Sequence, residues 1–191
     1  MQVLAMPKRK PRSINSYDLC ATPDWLATEI AQVVDKTGSL LDPCSGLGNL
    51  AKKIPGCMAS DCRKDPTVYG VKGINLFDYR NKCVDTIVSH PPNSDLELIT
   101  RKLLLMARCK VYILVRLDFL ATKYKLLTDY TPRVIYVVAK KLKLTSSLVT
   151  KTQTRVSGDI AYALVEWEVG YRGLPIVSWL PCAGSPAERR G

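Results

Sequence analysis

Leu41-Asp42-Pro43-Cys44-Ser45-Gly46-Leu47-Gly48-Asn49 is the stretch whose reading decides the fold. The apolar run Ser39–Leu41 closes on an acid and passes at once into a G-x-G turn. That pattern predicts a short strand, a tight turn and a short helix over Leu50–Ile54. Gly46 and Gly48 let the backbone come close to a bound ligand, although a plain tight turn also accounts for them. Asp42, at the strand end, is placed to take the ammonium of an amino-acid moiety.

Outward from this turn the chain alternates strand and helix patterns. Towards the N-terminus, Trp25, Leu26, Ile30, Val33 and Val34 recur at helical spacing, with Thr22 as the expected N-cap and Pro23 at the first helical position. Towards the C-terminus, short apolar runs end at Asp61 and, after Val84–Ser89, at His90-Pro91-Pro92-Asn93. Lys110–Arg116 and Arg133–Val138 are continuous β-branched runs, as strands covered on both faces should be. Asp95–Ala107 and Phe119–Leu127 read as helices between them. Ile160–Val169 has no helix before it and is expected as an antiparallel strand added to the sheet. The expected fold is therefore α/β: a mostly parallel twisted sheet, helices on both faces, and an antiparallel C-terminal strand.

The chain has 191 residues, 47% hydrophobic and 24% charged, which suits a single domain with a sizeable core and excludes a disordered or collagen-like chain. The expected organisation is a basic arm over 1–16, one domain over 17–180 and a polar tail over 181–191. Lys and Arg outnumber Asp and Glu by 28 to 17, for a net charge of +11. Residues 101–155 carry thirteen of the basic residues and only Asp118 and Asp129, so the whole excess is local. Within it, Lys140, Lys141, Lys143 and Lys151 are candidates for contact with a polyanion; a solvated strand edge is the other reading. No apolar run approaches the roughly 18–20 residues of a membrane span, and the expectation is a cytoplasmic protein without membrane contact. Seven scattered cysteines and one histidine, with no C-x-x-C, argue against a metal site or a disulfide framework.

Three of these turns fall where an open α/β sheet collects ligands, beyond the carboxyl ends of its strands. Asp61 stands about where a carboxylate would accept both hydroxyls of a ribose, although a charged residue that closes a strand is also routine. Two consecutive prolines hold the His90–Asn93 turn extended and its carbonyls fixed as acceptors. Phe77 reads either as a core aromatic or as the wall of a binding site.

Taken together, Asp18–Leu26, Leu41–Gly48, Gly73-Ile74-Asn75-Leu76-Phe77, Ser89–Asn93, Leu114–Leu120 and Ala161–Pro175 resemble the class I S-adenosylmethionine-dependent methyltransferases. The resemblance runs over roughly residues 17–180 and is strongest to the small phage and bacterial N6-adenine DNA methyltransferases. It implies a Rossmann-like fold and S-adenosylmethionine as methyl donor, with no metal. Thr22, Pro23, Asp42, Gly46, Gly48, Asp61, Asn75 and Phe77 would bind the donor, and His90, Pro91, Pro92 and Asn93 would be the catalytic turn. The implied partner is nucleic acid, DNA before RNA. The chain departs from the family where the chemistry lies: His90 replaces the usual Asp, Asn or Ser, Asn93 the usual aromatic, Cys20 a common aromatic, and Asn75 a frequent acid. Two functions follow. One is methyl transfer to the N6 amine of adenine in DNA; the other is an inactive methyltransferase-fold subunit that binds nucleic acid or a protein partner, for example in a virion.

Overall fold

The computed structural model describes residues 21–142 and 160–180. The arm, the tail, Cys20, Lys143 and Lys151 lie outside the described residues. In chain order the elements are α1 (Asp24–Val33), β1 (Leu40–Asp42), β2 (Cys57–Asp61), β3 (Val71–Lys72), β4 (Val84–Ser89), α2 (Leu96–Met106), β5 (Ala107–Arg116), α3 (Asp118–Thr122), α4 (Tyr124–Asp129), β6 (Val134–Val138), β7 (Tyr162–Glu168) and β8 (Ile176–Leu180). They form one eight-stranded sheet in the order β3-β2-β1-β4-β5-β7-β6-β8. Among its pairings only those of β7, with β5 and with β6, are antiparallel.

The expected antiparallel strand is thus β7, and it is inserted between β5 and β6. Its burial explains the continuous apolar run: Tyr162, Leu164, Val165 and Trp167 are all buried, on alternating faces. The same alternation divides the other strands between two cores. Leu40, Val88, Tyr112 and Leu114 pack with Leu26 and Ile30 of α1 on one face. Leu41, Ile87, Val111, Ile113 and Val115 pack with Ile99, Leu103 and Met106 of α2 on the other, together with Phe119 and Leu126.

Several local expectations change. The helix expected over Phe119–Leu127 is two short helices, broken at Lys123, whose φ of −113° lies outside the helical range. The segment after the G-x-G turn is a 3-10 turn over Ala51–Lys53 rather than an α-helix. Thr22 does not cap α1: Pro23 takes the N-cap position, without a side-chain bond. The apolar run of β8 lies beyond Gly173 and Pro175 and extends the sheet at its edge, in parallel with β6. Trp167 on β7 is buried, whereas Trp179 on β8 is 64% exposed.

The turn after β1 is held by its neighbours. Ser45 N–H donates to the Ser60 carbonyl at 3.0 Å and Tyr69 N–H to the Gly46 carbonyl at 2.9 Å. Ser45 Oγ donates back to the Tyr69 carbonyl at 2.7 Å. The ring of Tyr69 then fills the space above Gly48, whose φ is +81° and where a Cβ would lie 2.4 Å from Tyr69 Cγ. Close approach to Tyr69 therefore accounts for this glycine. Gly48→Ala should lower folding stability by about 1–3 kcal/mol, from the disfavoured backbone and the clash. Urea denaturation measures this, and a loss below about 0.5 kcal/mol, typical of a neutral surface change, would contradict it.

Candidate functional site

Strand order reverses at β1, which has β2 on one side and β4 on the other. Connections leave β1 and β4 towards opposite faces, and a crevice opens at their carboxyl ends. The turns that follow β1, β2 and β4 meet there with the residues preceding α1. Thr22, Asp42, Gly46, Asp61, Asn75, His90 and Pro92 all line this cleft, which encloses about 60 Å³. Five candidate positions near it do not line it: Pro23, Gly48, Phe77, Pro91 and Asn93. Gly48 is turned to Tyr69, Pro91 is buried, and Asn93 faces the other way. Phe77 packs against the α2-side core with Cys44, and Leu76 takes its place on the wall.

The two carboxylates of the cleft sit in different environments. Asp42 is buried and its Oδ1 accepts from Ser89 Oγ at 2.8 Å and from Cys44 N–H at 3.2 Å. Burial raises its pKa to about 7, against those two hydrogen bonds, and the charge of Asp61 adds to the rise. Asp61 is also buried, which alone would raise it, but the Arg63 guanidinium and the N–H groups of Arg63 and Gly46 hold it below the usual carboxylate value. The guanidinium grips it with two bonds, Nε to Oδ1 at 2.9 Å and Nη2 to Oδ2 at 2.8 Å.

Asn75 Oδ1 accepts the N–H of Phe77 at 3.0 Å and so caps the 3-10 turn over Leu76–Asp78. One of its oxygen lone pairs is committed to the fold, and the amide NH2 is its donor group. His90 Nδ1 lies 3.1 Å from Thr22 Oγ1. Its ring meets Tyr162 edge-on, with centroids 5.7 Å apart and planes at 89°. Burial lowers the imidazole to about 4, so it is neutral at physiological pH. The Thr22 carbonyl accepts from Asn49 Nδ2 at 2.6 Å, which ties the segment before α1 to the turn after β1.

No protein-family model matches the chain, and no curated protein matches it in sequence. Solved structures do match in shape. A Listeria monocytogenes protein assigned to the class I S-adenosylmethionine-dependent methyltransferases superposes with a TM-score of 0.60 at 15% identity, over 91% of this chain and 69% of that one. A Pyrococcus horikoshii protein assigned as an RNA methyltransferase gives 0.55 at 14% identity, over 84% and 92%. The type IIG restriction endonuclease BpuSI gives 0.57 at 10% identity, over 80% of this chain and 26% of the enzyme. The chain has the class I methyltransferase fold.

In this methyltransferase fold a second cleft, of about 480 Å³, lies on the α2 and α3 side of the Pro-Pro turn. Asn93 lines it with Arg101, Arg116, Asp118 and Lys123. Arg101 is paired with Glu97 and Asp129, and Arg116 with Asp118, so its basic groups are largely matched by acids. Lys140 and Lys141 are exposed and follow β6 at its carboxyl end. Lys140 Nζ lies 5.9 Å from the centre of the Trp25 ring at the start of α1. That contact brings the lysine pair towards the segment that carries Thr22.

Arg63, Asn49, Cys44 and Cys62 also line the first cleft and were not among the sequence candidates. Only Arg63 and Asn49 had a signal, as polar residues directly beyond the strand-end acid and the G-x-G turn.

Asp42 gives the cleft a measurable signature. Folded, it keeps a proton up to pH about 7, whereas the unfolded carboxyl loses it near pH 4. The folded state therefore loses stability as pH rises across that window. Asp42→Asn removes this contribution, so the variant's stability relative to the parent chain should increase with pH. Urea denaturation near pH 4.5 and pH 7.5 tests it. A stability difference independent of pH would overturn the assignment.

Proposed function

We propose that the chain is an S-adenosylmethionine-dependent methyltransferase that acts on an amine of a nucleic-acid base, with adenine N6 in DNA as the first substrate. The observation that carries this is the meeting of Asp42, Asp61, Asn75, His90 and Pro92 in one cleft at the strand-order reversal. Acid, acid and amide have the chemistry to hold an ammonium, a ribose diol and an adenine ring, so the residues suit the methyl donor. When bound, S-adenosylmethionine supplies an activated methyl on a sulfonium.

Everything else falls to the chain. Asp42 meets the ammonium and gives up its proton as that charge arrives. Asp61 accepts the hydroxyls. The Asn75 amide NH2 donates to a ring nitrogen. The lone pair of an exocyclic amine is delocalised into the base, and hydrogen bonds accepted from its N–H groups draw that density back to nitrogen. In the tautomer that donates from Nδ1 to Thr22 Oγ1, neutral His90 keeps a lone pair on Nε2 for one such bond. The family resemblance assigns the second acceptor to the Pro91 carbonyl, which must be reached from the cleft past His90 and Pro92, since Pro91 itself is buried behind its wall. Asn93 cannot stack on a flipped base as an aromatic would, a loss on the order of 1–3 kcal/mol.

Exposed Lys140 and Lys141 favour a polyanion over a small substrate. BpuSI, a restriction endonuclease, favours DNA among the neighbours, and the Pyrococcus horikoshii protein favours RNA. The replacements at His90 and Asn93 favour a second reading, an inactive nucleic-acid-binding subunit of the same fold.

Calorimetric titration with S-adenosylmethionine in two buffers of different ionisation enthalpy should show binding with proton release. Methyl transfer to unmethylated DNA should then fall by at least about a hundredfold in His90→Ala, the usual order for a positioned proton-handling group. Transfer to RNA alone would move the substrate, and binding without transfer in either protein would leave the second reading. Independently, Lys140→Glu with Lys141→Glu should weaken DNA binding and reduce its salt slope by about two. An unaltered slope removes this pair from the interface.

A further inference from the structure

We infer that Arg63 is a built-in occupant of the ribose position, a latch on Asp61 that a ligand carrying a vicinal diol must displace. The inference rests on the nucleoside reading of the cleft given above and adds how that site is opened and what it selects.

The hydrogen-bond count at Asp61 carries the argument. Oδ1 accepts from Arg63 N–H and Arg63 Nε, both at 2.9 Å, and weakly from Cys62 Sγ at 3.7 Å. Oδ2 accepts from Gly46 N–H at 3.0 Å and Arg63 Nη2 at 2.8 Å. A carboxylate offers about four lone-pair positions, so none is left for a hydroxyl. Withdrawal of the guanidinium alone changes this in a specific way. Each oxygen then keeps one backbone donor, Arg63 N–H on Oδ1 and Gly46 N–H on Oδ2; the remaining donor, the Cys62 S–H on Oδ1 at 3.7 Å, is weak and yields to a hydroxyl, so each oxygen has one position to offer. Two oxygens with one free position each match the two hydroxyls of a diol.

The volume agrees. The cleft encloses about 60 Å³ with Arg63 as part of its wall, whereas small-molecule sites usually have roughly 300–1,000 Å³. Arg63 also has somewhere to go. Its side chain is 21% exposed, and the carboxylate of half-buried Asp65 is close enough for its charge to act on the guanidinium. A ligand without the diol cannot replace the two bonds it would have to break, so the latch selects ribose over deoxyribose.

The test is a double-mutant cycle on S-adenosylmethionine affinity by calorimetry, using full-length chains shown to be folded by thermal unfolding. Arg63→Ala should bind about tenfold tighter or more, equivalent to at least about 1.4 kcal/mol. Arg63→Lys, which cannot hold both oxygens at once, should fall between that variant and the parent chain, and it gives the same ranking if the alanine variant does not fold. In an Asp61→Asn background the gain from Arg63→Ala should vanish, because the two side chains act as one unit. A gain that persists there would mean that Arg63 only takes up space, and would overturn the latch. Equal or weaker binding by Arg63→Ala would overturn it too, while leaving the methyl-donor reading intact. Failure of the parent chain and of both Arg63 variants to bind would overturn both.

Discussion

Two parallel strands that leave a sheet towards opposite faces cannot close the space between their ends, and β1 and β4 are such a pair. Ser89 Oγ spans the gap at its base with a 2.8 Å bond to Asp42. The bond is buried, and it joins the last residue of one strand to the last residue of the other. Every group in the cleft is placed relative to that junction. The turn after β1 presents Gly46, the end of β2 presents Asp61, and the Pro-Pro turn after β4 presents His90. The same Ser89 hydroxyl opposes the rise that burial imposes on the Asp42 pKa.

The cleft is also an example of two similar side chains made different by their surroundings. Asp42 has burial and a neutral hydroxyl for company and rises to about 7. Asp61 has a guanidinium and stays ionised. The neutral one can adjust its charge to an arriving cation; the ionised one has already found its cation within the chain. His90 adds a neutral imidazole, so the cleft has little net charge of its own, and the exposed lysines of the rim lie apart from it beyond β6.

Much of this was legible in the sequence, for identifiable reasons. A continuous β-branched run suits a strand covered on both faces, which is why β5 was readable, whereas β6, with a similar run, is only half-buried. The strand-end positions of Asp42, Asp61 and His90 placed them at one rim as soon as the sheet was taken to be parallel. The illegible parts depend on contacts between distant residues. Nothing local to Phe119–Leu127 marks Lys123 as the break between two helices. Phe77 follows a residue with the right address, but its ring belongs to the α2-side core, and only the packing decides between two adjacent apolar residues. Thr22 had the composition of an N-cap, yet His90, 68 positions away, holds its hydroxyl. The grip of Arg63 on Asp61 spans two residues, but the sequence states only that an acid and a base are near each other.

The insertion of β7 between β5 and β6 has a consequence for the order in which the molecule is made. Within the described sheet β6 pairs only with β7 and β8, and both come later in the chain. As the chain leaves the ribosome, β1, β2, β4 and β5 can assemble and form the cleft while β6 still has no strand to join. Until residues 162–168 arrive, β5 carries an open edge of ten residues, the kind of edge that pairs with other chains. The completed sheet then depends on a non-local step, which is slow compared with local contacts. Lys140 and Lys141 follow β6 directly, so the basic rim is the last part of the site to be set in place, and it is set by the same strand that closes the exposed edge.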